Sequence, residues 1–143
     1  MAPGMNAPLY TTEILRLAAS LPEPRALERE DGRAELRSPT CGSRVTTAVQ
    51  LDEAGRVAAM SQQVQACAFG QASSALVSKS AVGRSRDEVD AVLTQVGDWL
   101  AGAERTPDWP ELSTLAPARA RSGRHAAILL PLRALLAAID SAR

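Results

Sequence analysis

Residues 44–67 read RVTTAVQLDEAGRVAAMSQQVQAC, and the fold class turns on them. Val45, Thr47, Val49 and Leu51 alternate with Arg44, Thr46, Ala48 and Gln50, the period of two that a strand with one buried face requires. Asp52-Glu53-Ala54-Gly55 is a hairpin-like turn. Val57, Ala59 and then Val64, after Ser61-Gln62-Gln63, give a further strand that must contain an irregularity. Upstream, Ala34 and Leu36 mark an earlier strand beginning near Arg33. Three consecutive strands with short connections predict an antiparallel meander.

Beyond Cys67 the period becomes helical. Ala72 to Val82 is small, apolar and Ser-rich, closing at Gly83, in a helix expected to start near Gly70. Ser85, with Glu88 three residues on, has the form of a capping box opening a helix from Arg86 to Ala101, which Gly102 ends. Thr106 to Pro117, with three prolines and Trp109, reads as a connector packed by one aromatic. Ile128, Leu129, Leu132, Leu135, Leu136 and Ile139 fall on one face of a last helix. Pro131 fits that helix in its first turn and kinks it elsewhere. Before the strands, Leu9, Ile14, Leu17, Ala18 and Leu21 predict a short amphipathic helix with Thr11 or Thr12 as its N-cap, ending before Pro22. The sum is an α+β domain: a small three-stranded antiparallel sheet with helices packed on one face and a C-terminal helix. A single domain is expected over residues 1–143, with 1–8 disordered.

The 143 residues suffice for one core without disulfides. Aromatics are only 3% of the chain, so Leu, Val, Ile and Ala must build that core. Sixteen basic and sixteen acidic side chains cancel, which argues against nucleic acid as a partner. The apolar run Ala126 to Leu132 is far short of the roughly 20 residues of a bilayer span. Met1 to Pro8 has no basic patch followed by an apolar stretch. No membrane association and a cytoplasmic location are the expectations.

Few residues carry chemistry. Cys41 lies between Pro39-Thr40 and Gly42-Ser43, where the first strand turns toward the second. Cys67 sits before a helix, where free N–H groups and the helix dipole favour a thiolate. His125, the single histidine, precedes the last helix. Element ends of such a domain can converge on one rim, and two thiolates with an imidazole suit zinc or iron. The plainer alternative is open: free cysteines are often small buried hydrophobes, and His125 between Arg124 and Ala126 could be a solvated helix-start residue. Asp87-Glu88 and Asp90 fit an acidic first helical turn better than a catalytic pair. Ser73-Ser74 has no histidine base at any evident spacing.

Ser38-Pro39-Thr40-Cys41-Gly42-Ser43 before an alternating strand resembles the first ligand loop, Cys-Gly-Asp, of the IscU/NifU-like scaffolds of iron–sulfur cluster assembly. Ala66-Cys67-Ala68-Phe69-Gly70-Gln71-Ala72-Ser73-Ser74-Ala75-Leu76 resembles the same family's Gly-Cys and Ala-Ser-Ser-rich helix. Gly83-Arg84-Ser85-Arg86-Asp87-Glu88-Val89 is similar to its glycine-lysine-serine loop. Arg124-His125-Ala126-Ala127-Ile128-Leu129 is similar to its His-Cys-Ser-Ile-Leu segment. Two departures mark a divergent member: Ser43 stands where the family has Asp, and Ala126 or Ala127 where it has a third cysteine, the usual acceptor of sulfur.

The resemblance implies a non-enzymatic scaffold holding a transient iron–sulfur cluster, iron or zinc through Cys41, Cys67 and His125. It implies a cysteine desulfurase and cluster carriers as partners. Three ligands leave a fourth to Ser43, water, a small thiol or a second subunit in a homodimer. A metal-free interaction or regulatory module, or a zinc-bound sulfur acceptor, are the competing readings.

Overall fold

The computed structural model describes residues 10–39 and 42–142. The chain runs α1 (Thr12–Ala19), β1 (Gly32–Arg37), β2 (Arg44–Leu51), β3 (Val57–Gln65), α2 (Ala68–Ser80), α3 (Arg86–Leu100), two 3₁₀ segments (Leu112–Ala120 and Ser122–Arg124) and α4 (His125–Ser141). The sheet order is β1-β2-β3, antiparallel throughout. This is the expected meander, but the irregularity expected around Ser61-Gln62-Gln63 lies earlier: those residues pair regularly with β2, and the register shifts at Gln50/Leu51, opposite Ala59 and Val57. The expectation of disorder for residues 1–8 falls outside the described residues.

Local chemistry sets the element ends. Thr11 accepts a hydrogen bond from the Ile14 N–H at 3.2 Å and caps α1. The Asp52 carboxylate accepts from the N–H groups of Ala54 and Arg56, each at 2.9 Å, tightening the β2–β3 turn. Ser85 and Glu88 form the reciprocal capping box that opens α3. The second helix starts earlier than the sequence suggests: Ala68 is its first residue and Cys67 its N-cap.

Strand alternation puts Ala34, Leu36, Val45, Thr47, Val49, Met60, Gln62 and Val64 on one face, and the helices cover it. The largest fully buried side chains come from every layer: Ile14 of α1, Val45 and Val49 of β2, Phe69 and Leu76 of α2, Val89 of α3, Leu115 of the first 3₁₀ segment, and Ile128, Leu132 and Leu135 of α4. The stretch Ser122–Ser141 is by length and composition apolar enough to cross a membrane, yet half of it is buried inside the fold, as a core helix is. Trp109 packs the connector as expected, its Nε1–H donating to the Leu76 carbonyl at 2.9 Å. The 3₁₀ helix beside it was not legible in the sequence.

Direction matters for the site. A Cβ on Gly32 would collide with the Ala138 carbonyl, and the Arg33 N–H donates to Ser141 Oγ at 2.9 Å, so the C-terminal end of α4 lies on the start of β1. Leu130 and Ala134 pack on Leu36, Val45 and Val64 near the other end of the sheet. α4 therefore runs antiparallel to β1, and its N-terminus points toward the β1–β2 connection.

Candidate metal centre

Three strand ends meet at that end of the sheet. Arg37 of β1 pairs with Arg44 of β2, which pairs with Gln65 of β3. The Ser38 N–H donates to the Ser43 carbonyl at 2.8 Å, and the Gly42 N–H to the Ser38 carbonyl at 2.9 Å, so the connection closes as a tight turn. Gly42 adopts a positive φ of 73°, a conformation that only glycine takes without a Cβ penalty, which accounts for a glycine after the cysteine. Cys41 itself lies outside the described residues.

Cys67 follows β3 by two residues. It is half-buried, in no disulfide, and N-caps α2 with extended backbone (φ −66°, ψ 173°) and no side-chain capping bond, so its sulfur is not spent on the helix. Gln71 fixes the approach: its Nε2 donates to the Ala66 carbonyl at 3.0 Å.

The first turns of α2 and α4 are in direct contact. A Cβ built on Gly70 would lie 3.5 Å from Ala127 Cβ and 3.4 Å from the Ala127 carbonyl oxygen. Ser73 Oγ donates to the Ile128 carbonyl at 2.6 Å. Pro131 lies beyond the first turn of α4 and has no N–H for the Ala127 carbonyl that the helix would otherwise offer it.

His125 opens α4, half-buried, with Nε2 at 3.0 Å from the Ala118 carbonyl and 3.2 Å from the Arg119 carbonyl. Both partners are acceptors, so Nε2 carries the proton and Nδ1 of the neutral ring keeps its lone pair. A backbone carbonyl behind the ring is how proteins commonly fix the tautomer of a ligating histidine. The carbonyls are held in turn by the 3₁₀ segment, which is anchored by buried Leu112, Leu115 and Ala118 and by Arg119, whose guanidinium donates to the Trp99 and Ala103 carbonyls at 2.8 and 2.7 Å.

Fold topology thus brings the elements bearing Cys67 and His125 to the end where the β1–β2 connection lies. Among the described residues no three His, Cys, Asp or Glu side chains are grouped to hold a metal ion. Ser43 is buried, its carbonyl engaged by Ser38. Residues 36–51, 54–86 and 112–139, which build this end, contain no Asp or Glu. The absent aspartate therefore has no substitute in these segments, and a metal here would rest on soft and neutral donors. Sequence reasoning missed Ser38, whose hydroxyl is buried with no hydrogen-bond partner. Continuing the alternation of Ala34 and Leu36 by one step would have put it on the helix side.

The arrangement is that of a two-layer α+β domain presenting a cysteine-bearing helix N-terminus and an anchored imidazole beside a tight, glycine-closed turn. The family model of the NifU-like N terminal domain matches residues 9–112, and the chain belongs to that family. The crystal structure of a NifU-like protein (N-terminal) from Brucella abortus is similar over 94% of each chain, at 29% identity and a TM-score of 0.84. A putative iron–sulfur cluster assembly scaffold protein for the SUF system from Fervidobacterium islandicum shares the fold at 18% identity, over 92% of this chain and 96% of its own, with a TM-score of 0.81. No curated protein matches the chain.

Proposed function

We propose that this protein is a cytoplasmic scaffold of iron–sulfur cluster assembly that receives a labile cluster, iron or zinc through Cys41, Cys67 and His125 and hands it on. Family membership gives the class, iron–sulfur cluster assembly. The observation that carries the ligand reading is the state of the two described donors. Cys67 caps α2 without using its sulfur, and His125 is tethered through Nε2, leaving Nδ1 for a metal. Thiolate and imidazole match zinc and iron in softness. A cysteine desulfurase as the source of sulfur and a carrier protein as acceptor are the partners this role requires.

One observation favours a second reading. Where the family has its third cysteine this chain has Ala126 or Ala127, and Ala127 is buried against Gly70. With that thiol goes the usual sulfur acceptor, which suits a metal-free interaction or regulatory module. A zinc-bound sulfur acceptor would instead have to load sulfur on Cys41 or Cys67.

The test is metal and acid-labile sulfide content of protein purified without oxygen, with the ultraviolet–visible spectrum of the same sample. Iron with matching sulfide and a visible charge-transfer band, lost in Cys41→Ala and Cys67→Ala, is the expected outcome. Zinc alone would move the assignment to sulfur transfer, and no metal in any preparation would leave the interaction module.

A further inference from the structure

Three buried side-chain atoms in the described residues have no hydrogen-bond partner: Thr47 Oγ1, Gln62 Oε1 and Ser38 Oγ. The first two sit on directly paired residues of β2 and β3, a hydroxyl donor opposite an amide acceptor. They are complementary to each other. Ser38 has no such counterpart, although it is only 5% exposed. A buried polar group without a partner forfeits its hydration with nothing in return, so an orphan that serves nothing is rare in a native fold.

Its position says what it faces. Ser38 continues the helix-side series Ala34, Leu36, while its neighbours Arg37 and Pro39 are exposed. Two strand residues past Leu36 span about 7 Å at roughly 3.3 Å each. The same distance along α4, at about 1.5 Å per residue, leads from Leu130, which packs over Leu36 and Val45, back to about residue 125 or 126. The hydroxyl therefore lies under the first turn of α4, where the β1–β2 connection begins. No carbonyl accepts the Ser38 hydroxyl proton, and the segments that build this end hold no carboxylate, so the proton is left for a sulfur or a metal-bound anion brought by the cargo.

We propose that Ser38 is a positioning residue of the metal centre, its Oγ–H donating a hydrogen bond to a metal-bound sulfur when cargo is held. This rests on the scaffold reading above. Such outer hydrogen bonds orient ligands and tune the electronics of the sulfur, and their loss typically lowers metal affinity 10- to 100-fold.

The probe is Co(II) added to the full metal-free chain, followed by chelator competition and by the thiolate-to-cobalt charge-transfer band. Ser38→Ala is expected to weaken Co(II) binding about tenfold or more and to shift that band, while the metal-free protein melts no lower than wild type. Thr47→Val removes the other orphan hydroxyl away from the site; it should leave affinity and band unchanged. Ser38→Ala with wild-type affinity and spectrum, or equal effects from both variants, would overturn the proposal and leave the scaffold reading standing. A wild-type chain that binds no cobalt at all would overturn both.

Discussion

Glu88 is the residue whose chemistry is most sharply set. Its carboxylate accepts from the Ser85 N–H at 2.9 Å and from Arg56 at 2.6 Å, and these bonds, the capping one foremost, pull its pKa from 4.5 to about 2. A depressed carboxylate pKa contributes stability that is fully present above about 4.5 and lost as pH falls through about 2. Acid titration of unfolding midpoints should show a decline across that window, and Glu88→Gln should flatten it; an unchanged slope would mean the carboxylate is not stabilising the fold. The capping box was readable because both halves are local, three residues apart. Cys67 at a helix start was readable for the same reason. The alternation of Ala34 and Leu36 offered the helix-side placement of Ser38, but what covers it and the tether of His125 were not readable, since both depend on groups brought near only by tertiary packing: α4 over the sheet end, and the carbonyls of a 3₁₀ segment whose sequence, interrupted by Pro117, carries no helical period.

Between elements, the decisive contact is α2 against α4, and small residues make it. Gly70 is in the first turn of α2, where an added Cβ would sit 2.6 Å from Ala66 Cβ as well as against Ala127. Gly70→Ala should therefore destabilise by about 1–3 kcal/mol, as overpacking of a tight core does, and weaken metal binding by parting the two helix starts. Gly97 in α3 has nothing within 4 Å of a Cβ position and an ordinary backbone conformation, so Gly97→Ala should stabilise by about 0.5–1 kcal/mol. Urea unfolding of the pair checks both signs, and a stabilised Gly70→Ala would refute the close-contact account. Element types followed from the sequence because the period changes from two to 3.6 at Cys67 itself. What periodicity cannot report is which glycine is a turn and which is a contact: Gly42 is required by its positive φ of 73°, Gly70 by the side chains packed beside it.

For the molecule as a whole, the question is whether the segment matched by the family model, residues 9–112, stands without the last helix. The core argues that it does not. Ile128, Leu132 and Leu135 are at most 1% exposed, and Leu130 and Ile139 at most 4%. At about 1.5–3 kcal/mol for each buried side chain of this size, α4 contributes roughly 10 kcal/mol, as much as the entire net stability of an ordinary domain at about 5–15 kcal/mol. Its removal would also uncover the helix side of the sheet where Leu130 and Ala134 cover Leu36, Val45 and Val64, and would free the Ser73 hydroxyl from its acceptor. A chain ending at Ala120 is thus expected to lose its cooperative thermal transition and to bind a hydrophobic dye, while the full chain melts in one step. A sharp transition retained by the shortened chain would mean that the sheet and first three helices carry their own core. α4 would then be an appendage to the site instead of one of its walls.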